Sequence, residues 1–388
     1  MAARTPRDTV AAQMPRSTVA AQMPRSTVAA QMPRSTVAAQ MPRSTVAATT
    51  IDWYRTPIDK ETLRQLTQRS DARGWLQAGS FLLIYAALTA LTVISFSARW
   101  WVLMVVACYV HAMFLNMMSM AAAVHELSHG TPFRTRAVNE FFLYLFCFLT
   151  WNNPVHFRAS HILNHHPYTV HRGLDKEVIQ GPVKEKLNWV NIRAWCTFDW
   201  KWFAVFIRVN VLHALGRSDA DFFFWDPLFP LDDPRRRSMC AWARVMVIGY
   251  LVILAAAIVF HQWVVIFLVF SYFFARILAN LTGAIQHTGL GSDIPDWRCV
   301  CHTVKVNPLV RYLYWNMNYH TEHHMYAAVP FFNLPRLRAA IEKDTPAAHP
   351  SFSACLSKLY EIRALQEKDP SFIYAHTFPA GATPPRLR

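Results

Sequence analysis

The feature that most constrains the fold of this chain is a set of long apolar runs that contain almost no charged residues. Residues 75–97 and 101–123 form one pair of such runs, and residues 245–260 and 263–285 form another. A helix needs about 20 mostly apolar residues to cross a bilayer. Charged residues make up only 16% of the chain, whereas soluble domains contain about 25%. The sequence therefore predicts an all-α membrane protein with four transmembrane helices.

Short connections between the runs predict two helical hairpins. Residues 98–100 separate the first pair, and residues 261–262 separate the second. Because each hairpin returns the chain to the side on which it began, the long segments outside the hairpins lie on one side of the membrane. Those segments are rich in arginine, and an excess of Lys and Arg marks the cytoplasmic side. We therefore expect a cytoplasmic helical cap, in a bacterial inner membrane or an endoplasmic reticulum membrane.

The first 50 residues differ from the rest of the chain. The nonapeptide MPRSTVAAQ recurs from Met14 onwards and then degrades. An Arg-rich, acid-poor segment is compatible with a targeting peptide, but its low complexity favours a disordered tail. We assign a membrane domain to residues 51–345 and a C-terminal cytoplasmic tail to residues 346–388. The net charge of +15 comes from the repeat tail and from residues that flank the apolar runs, so it does not indicate nucleic-acid binding.

Histidines dominate the polar segments. Eight of the 17 histidines fall into three tight groups, with the sequences HELSH, HILNHH and HTEHH. Residues four apart share a helix face, so we expect the histidines of each group to point the same way. A metal ion rarely takes more than four to six ligands, so eight clustered imidazoles indicate two metal ions. The groups are His125 and His129; His161, His165 and His166; and His320, His323 and His324.

His287 is the candidate for a ninth metal ligand. It lies 24 residues after Trp263, just as His125 lies 24 residues after Trp101. At about 1.5 Å per residue, each histidine is roughly 36 Å from its tryptophan, slightly more than the thickness of the hydrocarbon core. If both helices are unbroken, the two histidines emerge at equal depth. Arg276, inside the fourth run, must then snorkel to the interface or face protein.

HELSH alone also matches the zinc-protease pattern H-E-x-x-H. In that alternative, His125 and His129 bind one zinc ion with a further ligand, and Glu126 is the general base. It leaves the other two histidine groups without a role. A second alternative is a non-catalytic membrane carrier or sensor of metal ions.

The three histidine groups resemble those of the membrane fatty acid desaturase and hydroxylase superfamily. That pattern is H-x3-4-H followed by two copies of H-x2-3-HH, and the stretch WNMNYHTEHHMYAAVPFFNLPRL looks like a third desaturase box. The resemblance covers about residues 70–345. It implies a non-haem di-iron centre with two iron ions, which activates O₂ and abstracts hydrogen from an unactivated C–H bond. The implied ligands are His125, His129, His161, His165, His166, His287, His320, His323 and His324.

The resemblance implies desaturation of a fatty acyl chain as the first choice of reaction. Hydroxylation or ketolation of a lipid or hydrocarbon remains an alternative, because those enzymes share the same histidine boxes. Groups around the ligands are expected to orient the imidazole rings through their second nitrogen. The nearest candidates in sequence are Glu126, Asp175, Glu177, Asn318 and Glu322.

Electrons for O₂ activation must come from another protein. The sequence has no HPGG motif of cytochrome b5, no GxGxxG nucleotide fingerprint and no ferredoxin cysteine run. Its seven scattered cysteines form no CxxC pair, which argues against a fused rubredoxin or a zinc ribbon. We therefore expect an external ferredoxin, rubredoxin or cytochrome b5 with its reductase. The basic residues 235–237 are a candidate site for an acidic donor or for anionic membrane lipid.

Overall fold

The protein is described by a computed structural model that covers residues 50–178, 181–217, 228–229 and 233–387. The predicted repeat tail lies outside these residues, apart from Thr50. Within them the regular structure is helical, and backbone pairing between extended segments is limited to isolated bridges. This confirms the all-α prediction for the part of the chain described.

The α-helices follow one another along the chain with short connections. In order they are α1 (Lys60–Leu66), α2 (Asp71–Gly74), α3 (Ser80–Ser97), α4 (Trp101–Met118), α5 (Ala123–His129), α6 (Arg136–Leu149), α7 (Pro154–Ser160), α8 (His166–Tyr168), α9 (Val183–Lys186), α10 (Trp189–Cys196), α11 (Trp200–Ala214), α12 (Pro234–Val259), α13 (Trp263–Phe270), α14 (Ile277–His287), α15 (Trp297–Val300), α16 (Pro308–Leu313), α17 (His320–Met325), α18 (Leu334–Ile341) and α19 (Phe352–Lys368). Two π-turns, at Trp75–Gly79 and His161–His165, join neighbouring α-helices, and 3₁₀-turns occupy Ser271–Phe273, Phe331–Asn333 and Glu342–Asp344.

The first two apolar runs form two helices joined by a short turn. The helix Asp71–Ser97, which includes α2, the first π-turn and α3, is 27 residues long and apolar enough to cross a membrane. It turns into α4 at Arg99, whose φ of 59° is left-handed. Trp100 and Trp101 at this turn are 56% and 54% exposed, as expected for aromatic residues at a membrane interface.

The second hairpin begins with α12, a 26-residue helix that is also long and apolar enough to cross a membrane. It starts well before predicted residue 245, because Pro234 occupies the first turn and the side chain of Asp233 caps the helix by accepting from Arg235 N–H. The chain reverses at His261, with a φ of 55°. Trp263, which starts α13, is half exposed.

The fourth predicted run is not a single helix. α13 continues as a 3₁₀-turn to Phe273, and α14 begins only at Ile277. The apolar segment Trp263–Phe273 is too short to cross about 30 Å of hydrocarbon alone, because a helix rises about 1.5 Å per residue. The prediction of an unbroken helix over residues 263–285 is therefore wrong.

Neighbouring elements donate hydrogen bonds to the backbone carbonyl groups that lack a partner within the helix at this break. Asn116 of α4 donates from Nδ2 to the carbonyl of Phe274 at 2.9 Å. The backbone N–H of Asp199, before α11, donates to the carbonyl of Phe273 at 2.7 Å. Ala275 between the two helices has a φ of 51°. A broken helix is tolerated in an apolar layer only where protein supplies such partners.

Arg276 at the break faces protein. Its guanidinium lies 3.4 Å from Oδ2 of Asp199 and 4.4 Å from the ring centre of Trp202. The residue is only 8% exposed. Of the two positions that the sequence allowed for Arg276, at the membrane interface or against protein, the structure shows the second.

The second apolar helix also departs from the prediction of an unbroken helix. α4 ends at Met118, and turns at residues 119–122 precede α5. The hydroxyl of Ser119 lies 3.0 Å from that of Tyr272 and accepts from Asn152 Nδ2 at 2.8 Å. Even so, Trp101–His129 counts as one apolar stretch of 29 residues that is long enough to cross a membrane. The depth argument for His125 and His287 fails, since it required two unbroken helices.

The C-terminal segment packs against the rest of the domain. Leu359 and Ile362 of α19 are buried with Val183 and Leu187 in one apolar cluster. Beyond α19, the backbone N–H of Tyr374 donates to the carbonyl of Gly289 at 3.1 Å. This part of the segment that the sequence assigned to a tail therefore packs against α9 and against the residues that follow α14.

Candidate metal centre

Nine histidines from distant parts of the chain come together in two buried groups. In each group, the candidate ligand nitrogens all lie within 4.8 Å of one another. We call these groups site A and site B. Site A contains His125, His129, His161, His166 and His323, and site B contains His165, His287, His320 and His324. The nine are the ligands implied by the resemblance, and their division into five and four is new information from the structure.

The first histidine box lies on α5, which is buried along its whole length. Gly130 ends this helix with a left-handed φ of 68°. Nδ2 of Asn139 on α6 donates to the carbonyl of Leu127 at 2.8 Å and so ties the box to the next helix. His125 and His129 both belong to site A, as their spacing predicts.

The second box has an unexpected backbone. Asn153 and Pro154 start α7 in the usual way, but the π-turn at His161–His165 follows it. In a π-turn, residues five apart take over the alignment that residues four apart have in an α-helix. His161 therefore joins His166 in site A, with 3.2 Å between their Nε2 atoms, while His165 belongs to site B. His161 and His165 thus belong to different sites although their rings are stacked, with 5.4 Å between the ring centres.

The third box is divided between the two sites as well. On α17, His320 and His324 share site B, and His323 reaches site A. The α-helical spacing of four is kept for His320 and His324, whose Nε2 atoms are 3.1 Å apart. His323 thus belongs to a different site from His320, although their rings are stacked at 6.0 Å between the ring centres.

The Nε2 atoms of neighbouring rings converge. In site A, Nε2 of His125 is 2.8 Å from that of His323 and 3.1 Å from that of His161. In site B, Nε2 of His320 is 2.9 Å from that of His287. Two nitrogens bound at a right angle to one metal ion, with bonds of about 2.1 Å, lie about 3 Å apart. The observed separations match that value.

Carboxylates hold two of the rings from outside, as predicted. Nδ1 of His165 lies 2.8 Å from Oδ2 of Asp175, and Nδ1 of His161 lies 3.0 Å from Oε1 of Glu177. The carboxylate of Asp175 is 1% exposed and that of Glu177 is 28% exposed. Each carboxylate accepts a hydrogen bond from Nδ1–H and so keeps the proton on Nδ1. The lone pair is then on Nε2, which faces the site.

Two further partners were missed from the sequence. Nδ1 of His287 lies 2.8 Å from the carbonyl oxygen of Val300, and Nδ1 of His324 lies 3.2 Å from the hydroxyl of Thr169. Every residue has a backbone carbonyl, so nothing in the sequence marks Val300. Thr169 is three residues from His166, which is the only signal the sequence offered.

The three remaining candidates lie near the sites with different contacts. Oε1 of Glu126 is 3.5 Å from Nδ1 of His323, longer than a good hydrogen bond. Asn318 donates to the carbonyl of Val304, and Glu322 pairs with Arg338 at 3.0 Å. Asn318 and Glu322 thus hold the segment that carries the third box, and the structure gives neither a hydrogen bond to a ligand ring.

Burial keeps most of these imidazoles neutral. Burial is the largest cause, and neighbouring histidines the next, of pKa values well below the usual range for His161, His166, His320, His323 and His324. Burial also acts to lower the pKa of His165, but the charge of Asp175 outweighs it and raises that pKa. Neutral imidazole is the form that binds metal.

The donor set fits two metal ions. Acceptors outside the sites hold the proton on Nδ1 of His161, His165 and His287, so the Nε2 lone pairs of these rings face the sites. The Nε2 atoms of the neighbouring rings lie about 3 Å away, a spacing that a shared metal ion would accommodate. The zinc-protease alternative is not favoured, because the two histidines of HELSH are surrounded by three others in site A.

His111, in the second apolar helix, lies outside both sites and forms hydrogen bonds between helical segments. Nε2 lies 3.1 Å from the hydroxyl of Thr89 on α3, and Nδ1 lies 3.3 Å from the hydroxyl of Ser271 after α13. The ring is fully buried and links three helical segments by hydrogen bonds.

Comparison with known proteins agrees with the geometry of the site. Residues 99–355, about two thirds of the chain, match the family model described as "Fatty acid desaturase". The match includes all nine histidines of sites A and B. No curated protein matches the chain. The extent of the family match shows that this chain belongs to the fatty acid desaturase family.

Proposed function

We propose that this protein is a membrane-bound fatty acyl desaturase that uses O₂ and two iron ions, one in site A and one in site B. The observation that carries the proposal is the convergence of nine buried imidazoles into two adjacent groups with ligand-like Nε2 separations. Imidazole is a suitable ligand for iron, and an all-histidine shell adds no negative charge. The family match supports a fatty acyl substrate and the use of O₂.

When bound, the two iron ions would supply the reduction of O₂ and the abstraction of hydrogen from an unactivated C–H bond. The protein's part is to hold and isolate them. Asp175 and Glu177 keep the protons of His165 and His161 on Nδ1, so that Nε2 is free to bind. The nine histidines are at most 9% exposed, which limits the access of bulk water to the sites.

We further propose four membrane crossings in two hairpins, with the fourth formed by α13 and α14 across the break. Support comes from the half-exposed tryptophans at the turn between α3 and α4 and at the start of α13. The arginine-rich start of α12 supports a cytoplasmic position for that end, and hence for the histidine boxes.

An external protein must deliver the electrons. Desaturation removes two hydrogens from the substrate, and O₂ takes up these and two further electrons and protons to give water. The expected donors are a ferredoxin, a rubredoxin or a cytochrome b5 with its reductase. The start of α12, with Arg235, Arg236 and Arg237, is the proposed docking surface for an acidic donor, and anionic membrane lipid is the alternative partner.

The experiment that tests the reaction is expression in a host with a defined lipid composition, followed by mass spectrometry of total lipids. Desaturation gives products lighter by two hydrogens, whereas hydroxylation gives products heavier by one oxygen. His166→Ala should abolish the product, because His166 lies within site A. His261→Ala is the matched control, since this histidine lies at the exposed turn between α12 and α13. Unchanged lipids with the native chain, or full product with His166→Ala, would contradict the proposal.

A further inference from the structure

Three histidines outside sites A and B form a group of their own. The sequence assigned His302 to a structural role and His349 and His376 to a tail. In the structure their candidate ligand nitrogens all lie within 4.8 Å of one another. The ring centre of His302 is 5.0 Å from that of His349 and 5.0 Å from that of His376.

Backbone carbonyls fix the orientation of two of these rings. Nε2 of His302 lies 3.0 Å from the carbonyl oxygen of Thr288, and Nε2 of His376 lies 3.1 Å from that of Cys301. A carbonyl oxygen can only accept a hydrogen bond, so both rings must carry their proton on Nε2. Nδ1 of each ring therefore carries a lone pair. Metal-binding histidines make the same kind of hydrogen bond from the ring nitrogen that does not bind the metal.

The third ring is held beside these lone pairs. Nε2 of His349 lies 3.1 Å from Nδ1 of His302. The backbone places it there, because the N–H of His349 donates to the carbonyl of Thr303 and the N–H of Lys305 donates to the carbonyl of His349, both at 2.9 Å. Two nitrogens on one tetrahedral zinc ion, with bonds of about 2.1 Å, lie about 3.4 Å apart, so the two rings would need to move by only a few tenths of an ångström.

The rings are also ready to bind a cation. Burial, and then the neighbouring imidazoles, lower the pKa of His376 to about 4, and burial lowers the pKa of His302 well below its usual range. The three rings are therefore neutral at pH 7, the form that binds metal. His302 is 1% exposed, whereas His349 and His376 are partly exposed, so the group opens to solvent on one side.

We propose that His302, His349 and His376 bind one zinc ion, separate from the two iron ions. Three imidazoles with an open fourth position for water are a known zinc coordination. Zinc is preferred over iron here because such a site follows the general order of affinities, in which Zn²⁺ exceeds Fe²⁺.

A zinc ion at this place would tie three distant segments together. It would join the strand-like residues after α15, the loop before α19 and the segment after α19. His302 is also linked to site B, since its backbone N–H donates to the carbonyl of Gln286, next to His287, at 2.9 Å. Closing long loops with a metal ion lowers the entropy of the unfolded chain, so bound zinc should stabilise this side of the domain.

The test uses the full-length protein, produced with iron and without added zinc, and purified in detergent. It is incubated with Zn²⁺ and desalted, and zinc and iron are then measured in the same sample. We expect one zinc ion per chain with no loss of iron. His349→Asn and His376→Asn should each weaken zinc binding by more than about 100-fold, because the loss of an outer partner alone costs about 10- to 100-fold. His261→Asn, at the exposed turn before α13, is the control and should bind zinc like the native protein.

Zinc should also raise the melting temperature of the native protein and of His261→Asn, but not of the two site variants. Either site variant suffices if the other does not fold. Zinc that displaces iron, or zinc retained equally by His349→Asn and His376→Asn, would place the ion in sites A or B and overturn the proposal. A native protein that keeps no zinc after desalting would overturn it as well.

Discussion

Asp175 and His165 form a buried hydrogen bond, with 2.8 Å between Oδ2 of the carboxylate and Nδ1 of the ring. The other carboxylate oxygen accepts the backbone N–H groups of Glu177 and Val178 at 2.9 and 3.0 Å. One side chain thus shapes the loop after the second box and also sets the proton position on a ligand of site B.

Asp175→Asn should lower iron binding at site B. The amide oxygen can keep the hydrogen bonds from Glu177 and Val178, which turns the amide nitrogen towards Nδ1 of His165 and towards the N–H of Val170. Two donors then face each other, so the ring favours the tautomer with its proton on Nε2, and the ligand lone pair is lost. We expect iron affinity and activity to fall by about 10- to 100-fold. Asp293→Asn, at a surface ion pair with Arg172, is the control; equal iron content in both variants would contradict this role for Asp175.

The division into five and four ligands can be tested by counting iron. His287→Ala combined with His324→Ala removes two of the four ligands of site B. Because site A keeps its five histidines, we expect the iron content to fall from two to about one per chain. His111→Gln, which changes a buried histidine outside both sites, should leave two. If the double variant lost all iron, the two sites would not bind independently.

Arg276→Met should destabilise the protein at the break between α13 and α14. The substitution leaves the mostly buried carboxylate of Asp199 without its partner, and breaking a buried ion pair typically costs about 3–5 kcal/mol. Thermal unfolding in detergent measures the loss. Asp199→Ser in the same chain removes the unpaired charge and keeps a side chain able to cap α11, so the double variant should recover part of the stability. A single variant as stable as the native protein would show that the pair contributes little.

The stability of the metal-free protein should fall as the pH falls below about 6.5, the usual pKa of histidine in an unfolded chain. His161, His166, His320, His323 and His324 have pKa values well below that in the fold, so only the unfolded chain takes up their protons. Each ring then costs up to about 1.4 kcal/mol per pH unit.

His165 acts in the opposite direction, because its raised pKa adds stability at low pH that is lost as the pH rises. The stability that one ring adds at low pH is smaller than the stability that the five other rings lose. Melting temperatures between pH 8 and pH 5, after iron removal, measure the balance. Replacing His166 and His324 with Asn should make the decline shallower, and a melting temperature independent of pH would show that the rings are protonated in the fold.

Much of the fold was predictable, since long apolar runs and short turns leave few choices for a chain in a membrane. Asp71–Ser97, Trp101–His129 and Pro234–Val259 contain three of the predicted runs. The break before α14 could not be predicted, because the hydrogen bonds that stabilise it come from Asn116 and Asp199, far away in sequence. An apolar run shows that a segment belongs in lipid, but not that it is one helix.

The sequence by itself determined which histidines gather, because residue spacing along a helix is a local property of the backbone. The distribution of those histidines between two sites was decided only by the tertiary structure. Across the π-turn at His161–His165, two stacked rings belong to different sites, and α17 contributes His323 to one site and His320 to the other. The meeting of His302, His349 and His376 also depends on contacts between segments far apart in the chain, which no local pattern records.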